Sequence, residues 1–292
     1  MNARFDPADA ASGVTTCSGV TVLMSTHRGE TAANLRDSLE SLYGQTLPPG
    51  RIVLVVDGPV GEDQEAVIAA FATRIGPVME PVRLPANVGL AAAMNAGLAR
   101  CDGDWIMRHD SDDLCTPDRL AVQWDYLRAH PDVDIVSSWS EEFYHDGAAP
   151  QLKASPTGHR AVVQALRWRN VLVHPTVLVR AETLRRVGGY RADYGRLEDY
   201  DLFVRLAQAG ARFHVIPKVL VRVRSSTDQK KRRGGIAYCG SELRFRVACY
   251  RSGFLGLWQF LCITPLYLAF RLASGDMKRV LYRLARNEGV RA

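Results

Sequence analysis

The chain has 292 residues, 47% of them hydrophobic, with a net charge of +6 and a pI near 9.1. That length buries a full core, with one domain of about 200 residues plus an appendage as the prior. The six cysteines (Cys17, Cys101, Cys115, Cys239, Cys249, Cys262) lack C-x-x-C and zinc-ligand spacing, which excludes a zinc module and predicts free thiols in a reducing compartment. No charged-then-apolar leader is apparent at the N-terminus, so a cytoplasmic protein is expected. Charge is uneven along the chain. Acidic clusters lie in the first two thirds and basic residues dominate afterwards, which points to a metal-using site in one region and an anionic partner, such as a membrane, for the other. The plain alternative for the basic part is a solvated face.

Residues 1–18 lack periodicity and are expected to be disordered. Residues 20–24 read as a buried strand ending at Ser25-Thr26-His27-Arg28-Gly29. Thr31 or Asn34 then begins a helix with Leu35, Leu39 and Leu42 on its apolar face. Residues 51–56, closed by Asp57-Gly58-Pro59, predict a central parallel strand. A helix over 64–75, a short strand over 82–84 and a helix over 87–100 with Asn87 near its start come next. Trp105-Ile106-Met107 is a short buried strand that ends in the acidic turn His109-Asp110-Ser111-Asp112-Asp113. Thr116 as N-cap and Pro117 at the first helical position then open a helix to residue 129. Residues 134–139 form another strand. This alternation predicts a parallel, helix-covered sheet whose ligands bind beyond the carboxyl ends of its strands. The loop 25–28, Asp57 and Asp110 all fall on that rim.

Asp110 and Asp112 stand at i and i+2, so an extended strand end points both the same way. Two hard oxygen ligands side by side suit Mg²⁺ or Mn²⁺, which takes its remaining oxygens from a substrate such as phosphate. A polar surface turn is the plain reading of the same residues. No G-x-x-x-x-G-K-[ST] is present, and no G-x-G-x-x-G follows the first strand, which argues against P-loop and dinucleotide-binding proteins.

Six segments in order carry a resemblance: Ser25-Thr26-His27-Arg28, residues 38–46, Val55-Val56-Asp57-Gly58, Asn87-Val88-Gly89-Leu90, Asp110-Ser111-Asp112-Asp113 and Glu198-Asp199-Tyr200-Asp201. Together they resemble a family 2 glycosyltransferase of the GT-A fold, an α/β architecture with a Rossmann-like mixed sheet flanked by helices. The Val-Asp-Gly-Pro-Val turn, His174-Pro175-Thr176 and Lys231-Arg232-Arg233-Gly234-Gly235 are similar to the subset that builds bacterial exopolysaccharide, capsule or O-antigen units. The resemblance spans about residues 20–225 and implies a GT-A catalytic domain over 19–225. It implies that Thr26 and Arg28 lie along the nucleotide, that Asp57 accepts from the base (which favours uracil, hence a UDP-sugar), and that Asn87 and Asn95 line the diphosphate and ribose. Asp110, with Ser111 beside it, and Asp112 would hold ribose and a divalent cation, and Asp199 would be the general base of an inverting hexosyl transfer. Glu198 and His174 are placed on the acceptor side; a core histidine and plain helix-start charge are the respective alternatives. One departure matters: where many relatives have Arg-x-His, this chain has Arg222-Val223-Arg224, and Arg224 binds phosphate rather than a metal.

After Ser225 the pattern changes to a C-terminal helical, membrane-associated appendage over 226–292. Residues 242–250 look helical, residues 254–270 are uncharged, and a later helix carries Lys278, Arg279, Arg283 and Arg286. In-plane or re-entrant membrane contact, a true span, and helices packed on the catalytic domain all stay open. Peripheral docking at the inner face of the cell membrane suits a lipid-linked saccharide acceptor. The rival readings are a sugar-phosphate nucleotidyltransferase, for which the first loop has too few glycines, and a non-catalytic nucleotide-sugar or membrane-binding scaffold. A nucleic-acid partner is not expected, because the basic tract lacks interleaved aromatics.

Overall fold

Apolar residues alternate along both faces of the first two strands, so each strand needs cover on two sides. The computed structural model describes residues 16–144, 147–225 and 236–272. In chain order its first half runs β1 (Cys17–Thr26), α1 (Ala32–Tyr43), β2 (Pro49–Val56), α2 (Glu62–Ile75), β3 (Met79–Arg83), α3 (Leu90–Leu98), β4 (Trp105–Arg108), β5 (Leu114–Cys115) and α4 (Arg119–Ala129). The second half runs β6 (Ile135–Tyr144), β7 (Gln151–Lys153), α5 (His159–Leu166), β8 (Leu178–Arg180), α6 (Ala181–Arg186), α7 (Glu198–Gln208), β9 (Phe213–Ser225), α8 (Ile236–Arg251) and α9 (Leu257–Leu272).

The strands form one mixed sheet in the order β3-β2-β1-β4-β8-β6-β9-β5, with β7 on β6. The β3-β2-β1-β4 half is parallel, whereas β8 and β5 run antiparallel to their neighbours. The expected purely parallel sheet is therefore corrected to the mixed one that the GT-A resemblance implies. Val20, Val22, Met24, Ile52, Leu54 and Val56 pack under Leu35, Leu39 and Leu42 of α1, Val67, Ile68 and Phe71 of α2, and Leu120 and Leu127 of α4. Leu23, Val53 and Val55 face the other way, toward α3, α5, α6 and α7. Each fully buried aliphatic side chain here contributes about 1.5–3 kcal/mol.

Helix α3 sits unusually close to the sheet because its sequence is small-residue rich. A Cβ on Gly97 would lie 2.5 Å from a Leu23 methyl and 2.6 Å from a Val55 methyl. The chain passes from β1 to β2 and β3 on one side and returns to β4 on the other, so the β1 and β4 carboxyl ends flank a switch-point crevice.

Several boundaries differ from expectation. Cys17 is buried and paired with Pro49 in β1, so ordered structure starts before residue 19. Asn87 lies outside α3, because Gly89 has φ +85°, which no helix position takes. Thr116 does not cap α4: Leu114–Cys115 pairs with β9, Thr116 N–H bonds Leu220, and the helix starts after Asp118. The C-terminal helices pack on the catalytic core, with Phe245, Cys249, Phe254 and Leu255 joining the cluster of Tyr200 and Phe203. Among the described residues no helix is long and apolar enough to cross a membrane. Residues 1–15, the tract Lys230-Lys231-Arg232-Arg233 and the basic residues from Lys278 onward lie outside the described residues.

Candidate active site

Three polar groups meet at the crevice because three strands end there. At the end of β1, Thr26 is buried and its hydroxyl has no hydrogen-bond partner, an orphan polar atom at the rim. Arg28, two residues on, is exposed. At the end of β2 the Asp57 carboxylate accepts from Val88 N–H at 2.7 Å and Gly89 N–H at 3.1 Å, and Asn87 Nδ2 donates to the Asp57 carbonyl at 3.2 Å. Asp57 thus ties the 87–89 loop across the rim, while each of its oxygens keeps a further lone pair. Gly58 is required beside it: its φ is +81° and a Cβ would sit 2.6 Å from Asn87 N.

The acidic turn after β4 is clamped from behind by a buried polar network. Ser38 Oγ donates to the Asp110 carbonyl at 3.0 Å. Arg108, 1% exposed, pairs with the Asp110 carboxylate and donates to the His109 carbonyl, while its Nε has no partner. Burial opposes the guanidinium charge, yet Asp110 beside it holds its pKa above the ordinary value. Arg119 Nη1 stands 3.1 Å from His109 Nδ1 and 2.9 Å separates its Nη2 from the Arg108 carbonyl. An arginine only donates, so His109 accepts at Nδ1 and donates from Nε2 to the Asp113 carbonyl at 3.1 Å. Burial, then Arg119 and Arg108, push the His109 pKa well down and keep the ring neutral.

The turn's carboxylates have distinct surroundings. Asp113 is buried and accepts from Arg224 N–H at 2.8 Å; burial and the neighbouring Asp110 and Asp112 raise its pKa well above the usual range. Asp112 is half-buried, and burial, Asp110 and Glu30 raise its carboxyl to about 7. Ser111 is buried between them. Arg224 reaches the turn as well: its Nε donates to the Asp112 carbonyl at 2.9 Å and its guanidinium lies 4.8 Å from the Phe143 ring. Carboxylates that repel each other at a rim open to solvent match what a hard dication would relieve. Among the described residues no three side chains converge as metal ligands, so Asp110 and Asp112 would need substrate and water oxygens to complete a shell.

The opposite wall comes from α7. Asp199 lies on its first turn, where Oδ1 accepts from Tyr200 N–H at 2.7 Å and Oδ2 from Asn170 Nδ2 at 2.9 Å. Glu198 is pushed to about 7 by burial, then by Asp199 and Asp110, with Arg108 opposing; its Oε2 is buried without a partner. The same three charges, Arg108, Asp110 and Asp199, also act on Tyr190.

Two expected ligand residues do structural work instead. Asn95 exchanges hydrogen bonds of 2.8 Å each with Tyr190 N–H and carbonyl, locking the Gly189 turn against α3. His174 is buried in a 3-10 turn, 3.0 Å from Tyr190 Oη and edge-on to Phe203, with burial and Arg108 keeping it neutral. The residues that sequence reading passed over are Arg108, Arg119, Asn170 and Tyr190. An arginine and a histidine, Arg108-His109, closing an apolar strand were the one visible signal.

With this geometry in view, the comparisons agree. The family model described as "Glycosyl transferase family 2" matches residues 21–187. The amylovoran biosynthesis glycosyltransferase AmsE of Erwinia amylovora is 36% identical over 237 residues, 80% of this chain and 88% of its own. An Escherichia coli UDP-Gal:alpha-D-GlcNAc-diphosphoundecaprenol beta-1,3-galactosyltransferase is 30% identical over 263 residues, 90% of this chain and 94% of its own. Among solved structures, S. aureus TarS 1-349 in complex with UDP-GlcNAc superposes with a TM-score of 0.63 at 17% identity, covering 78% of this chain and 65% of that one. At that identity the likeness speaks for the fold alone. The chain therefore belongs to glycosyl transferase family 2 and is a glycosyltransferase of GT-A fold.

Proposed function

We propose that the chain is an inverting transferase that moves a sugar from a UDP-sugar to a lipid-linked saccharide, in bacterial surface-polysaccharide synthesis at the inner membrane face. The observation that carries it is Asp199, held by two donors on the first turn of α7. A carboxylate so held takes the proton of the acceptor hydroxyl as its oxygen attacks the anomeric carbon. The bond from that carbon to the diphosphate oxygen breaks in the same displacement, which inverts the configuration and releases UDP. The α7 N-terminus favours the anionic base by about 0.3–1 kcal/mol.

On the donor side, the unpartnered Thr26 hydroxyl and the exposed Arg28 are available to the nucleotide, and Asp57 retains lone pairs for a uracil N3–H. Asn87 flanks that base pocket. A divalent cation, Mg²⁺ or Mn²⁺, would be held by Asp110 and Asp112 and would supply charge stabilisation for the departing diphosphate. Arg224, beside Asp112, adds a fixed positive charge on the same side. A relative supports the donor and acceptor classes by name: the Escherichia coli galactosyltransferase is described with UDP-Gal and a diphosphoundecaprenol-linked sugar.

A thermal-shift panel of UDP, GDP, dTDP and CDP, each with EDTA, Mg²⁺ or Mn²⁺, tests it. The expected result is a shift for UDP that requires metal. A shift for GDP alone would overturn the donor assignment, and a metal-independent UDP shift would transfer the diphosphate to Arg224.

A further inference from the structure

Helix α9 turns one side to the protein and a wholly uncharged side to solvent. Ile263 and Thr264 are buried, whereas Leu257, Trp258, Leu261, Cys262, Pro265 and Leu266 are exposed. Those positions recur at i, i+1, i+4, i+5, i+8 and i+9, a single stripe along a helix. Trp258 is 80% exposed and Leu266 64%, so this is a contiguous patch rather than scattered surface leucines. Tyr250 at the end of α8 stacks on Phe260 at 5.1 Å and extends the apolar surface to its neighbour.

The chemistry around the patch selects its occupant. No charged residue lies between Arg251 and Arg271. On either side in sequence stand Lys230, Lys231, Arg232 and Arg233, and then Lys278, Arg279, Arg283, Arg286 and Arg291 against only Asp276 and Glu288. An apolar stripe whose chain carries cationic segments before and after it in sequence matches a bilayer with acyl chains below anionic headgroups, and a tryptophan at the stripe's start suits the headgroup level. Among the described residues this helix is 16 residues long, carries Pro265 inside it and is not long and apolar enough to cross a membrane. We propose that the exposed face of α9 docks in the plane of an anionic bilayer surface. The docked helix is also linked by packing to the catalytic wall. Arg246 of α8 lies 4.5 Å from the Tyr267 ring of α9 and 5.4 Å from the Tyr200 ring of α7, next in sequence to Asp199. The purpose of the contact rests on the lipid-linked acceptor proposed above; its test does not use turnover.

The experiment uses the full chain and sedimentation with phosphatidylcholine vesicles, with and without phosphatidylglycerol. The triple variant Trp258→Ser/Leu261→Gln/Leu266→Gln changes only exposed positions. The wild type should sediment with the anionic vesicles, and the variant's partition should fall by more than about tenfold, since each replaced side chain loses its transfer from water. Its UDP-dependent thermal shift should be unchanged; a chain that binds vesicles without any UDP shift would sink the donor reading and leave this one standing. A polarity-sensitive fluorophore on Cys262 in the otherwise wild-type chain gives a second readout, blue-shifting with anionic vesicles. Equal sedimentation of both proteins, or no spectral shift, overturns the proposal. A wild-type dimer that the variant converts to monomer assigns the face to a second copy instead, and a Cys262 thiol protected without vesicles assigns it to residues 273–292.

Discussion

Replacing Asp199 with asparagine separates a catalytic base from a carboxylate that merely starts a helix. The side chain accepts from two donors, Tyr200 N–H at 2.7 Å and Asn170 Nδ2 at 2.9 Å. An amide offers one oxygen, so one donor is left facing an NH₂ group. Asn170 cannot turn to compensate without losing its own bond from Leu172 N–H at 3.3 Å. The structural cost is about 1–3 kcal/mol, visible as a lower melting temperature. Loss of the base is expected to cost about 10²–10⁴ in kcat, which is about 2.7–5.4 kcal/mol of barrier. These two quantities are read by different assays. Asn170→Ala is the control, because it loses one donor but keeps the carboxylate, and should lower stability comparably while costing far less turnover. The assay is transfer from radiolabelled UDP-sugar to a lipid-linked acceptor, with kcat, donor KM and a thermal melt for each variant. If Asp199→Asn keeps turnover within about threefold while its melting temperature falls, Asp199 only caps the helix and the base must be sought elsewhere.

Asp112→Ala should abolish the metal-dependent part of the UDP thermal shift while leaving the apo fold intact; an unchanged metal requirement would remove Asp112 as a ligand. Glu198→Gln probes a carboxyl raised from 4.5 to about 7. The folded chain holds that proton across this window and the unfolded chain does not, so stability falls as pH rises from the lower value to the upper. The substitution should therefore flatten the decline and raise stability above pH 7, by at most about 3 kcal/mol; a pH profile identical to wild type would contradict the burial of this group. Arg246 and Glu242, each 1% exposed, pair at 2.9 Å beside Tyr200. Arg246→Met should cost about 3–5 kcal/mol in denaturant unfolding, and adding Glu242→Met should recover most of it. A double variant no more stable than the single one would mean the pair's charges are not what limits stability there.

The fold was legible wherever one period dominated. Continuous runs of β-formers in residues 20–24 and 51–56, and the Leu35-Leu39-Leu42 spacing, each pointed to one element, and each formed it with ends shifted by a few residues. The mixed sheet was less legible, because strand direction is set by pairing partners far apart in sequence: β8 lies between β4 and β6, and β5 is two residues long. Asp110, Asp112 and Asp199 stood out through their order in the family resemblance, since a carboxylate at a helix start on its own equally well caps the helix or favours its dipole. Asn95 and His174 are ambiguous for a related reason. An amide or an imidazole satisfies a buried backbone or a tyrosine hydroxyl as well as it does a ligand, and only the fold shows that Tyr190 takes both. Arg108 and Arg119 went unread because a buried arginine is unusual, and what makes them tolerable, paired carboxylates and carbonyls, comes from three separate segments.

The sequence break after Ser225 marks a change of composition but not a boundary in the packing. Tyr200 donates to the Leu166 carbonyl at 2.6 Å and lies against Phe245 at 4.7 Å, so α5, α7 and α8 share one aromatic contact. Its neighbour Asp199 accepts instead from Asn170 Nδ2 at 2.9 Å. On the proposed function, adjacent residues at a helix start thus serve the reaction and the C-terminal helices respectively. A rigid helix cannot shift one of those residues without the other, and close-packed interiors transmit small displacements rather than absorb them. Perturbations at Phe245 or Arg246 should therefore reach the turnover assay through the placement of Asp199, whereas perturbations on the solvent side of α9 should reach it only through the loss of vesicle binding. That asymmetry is what distinguishes a helix pair built into the catalytic wall from a tail that merely accompanies it.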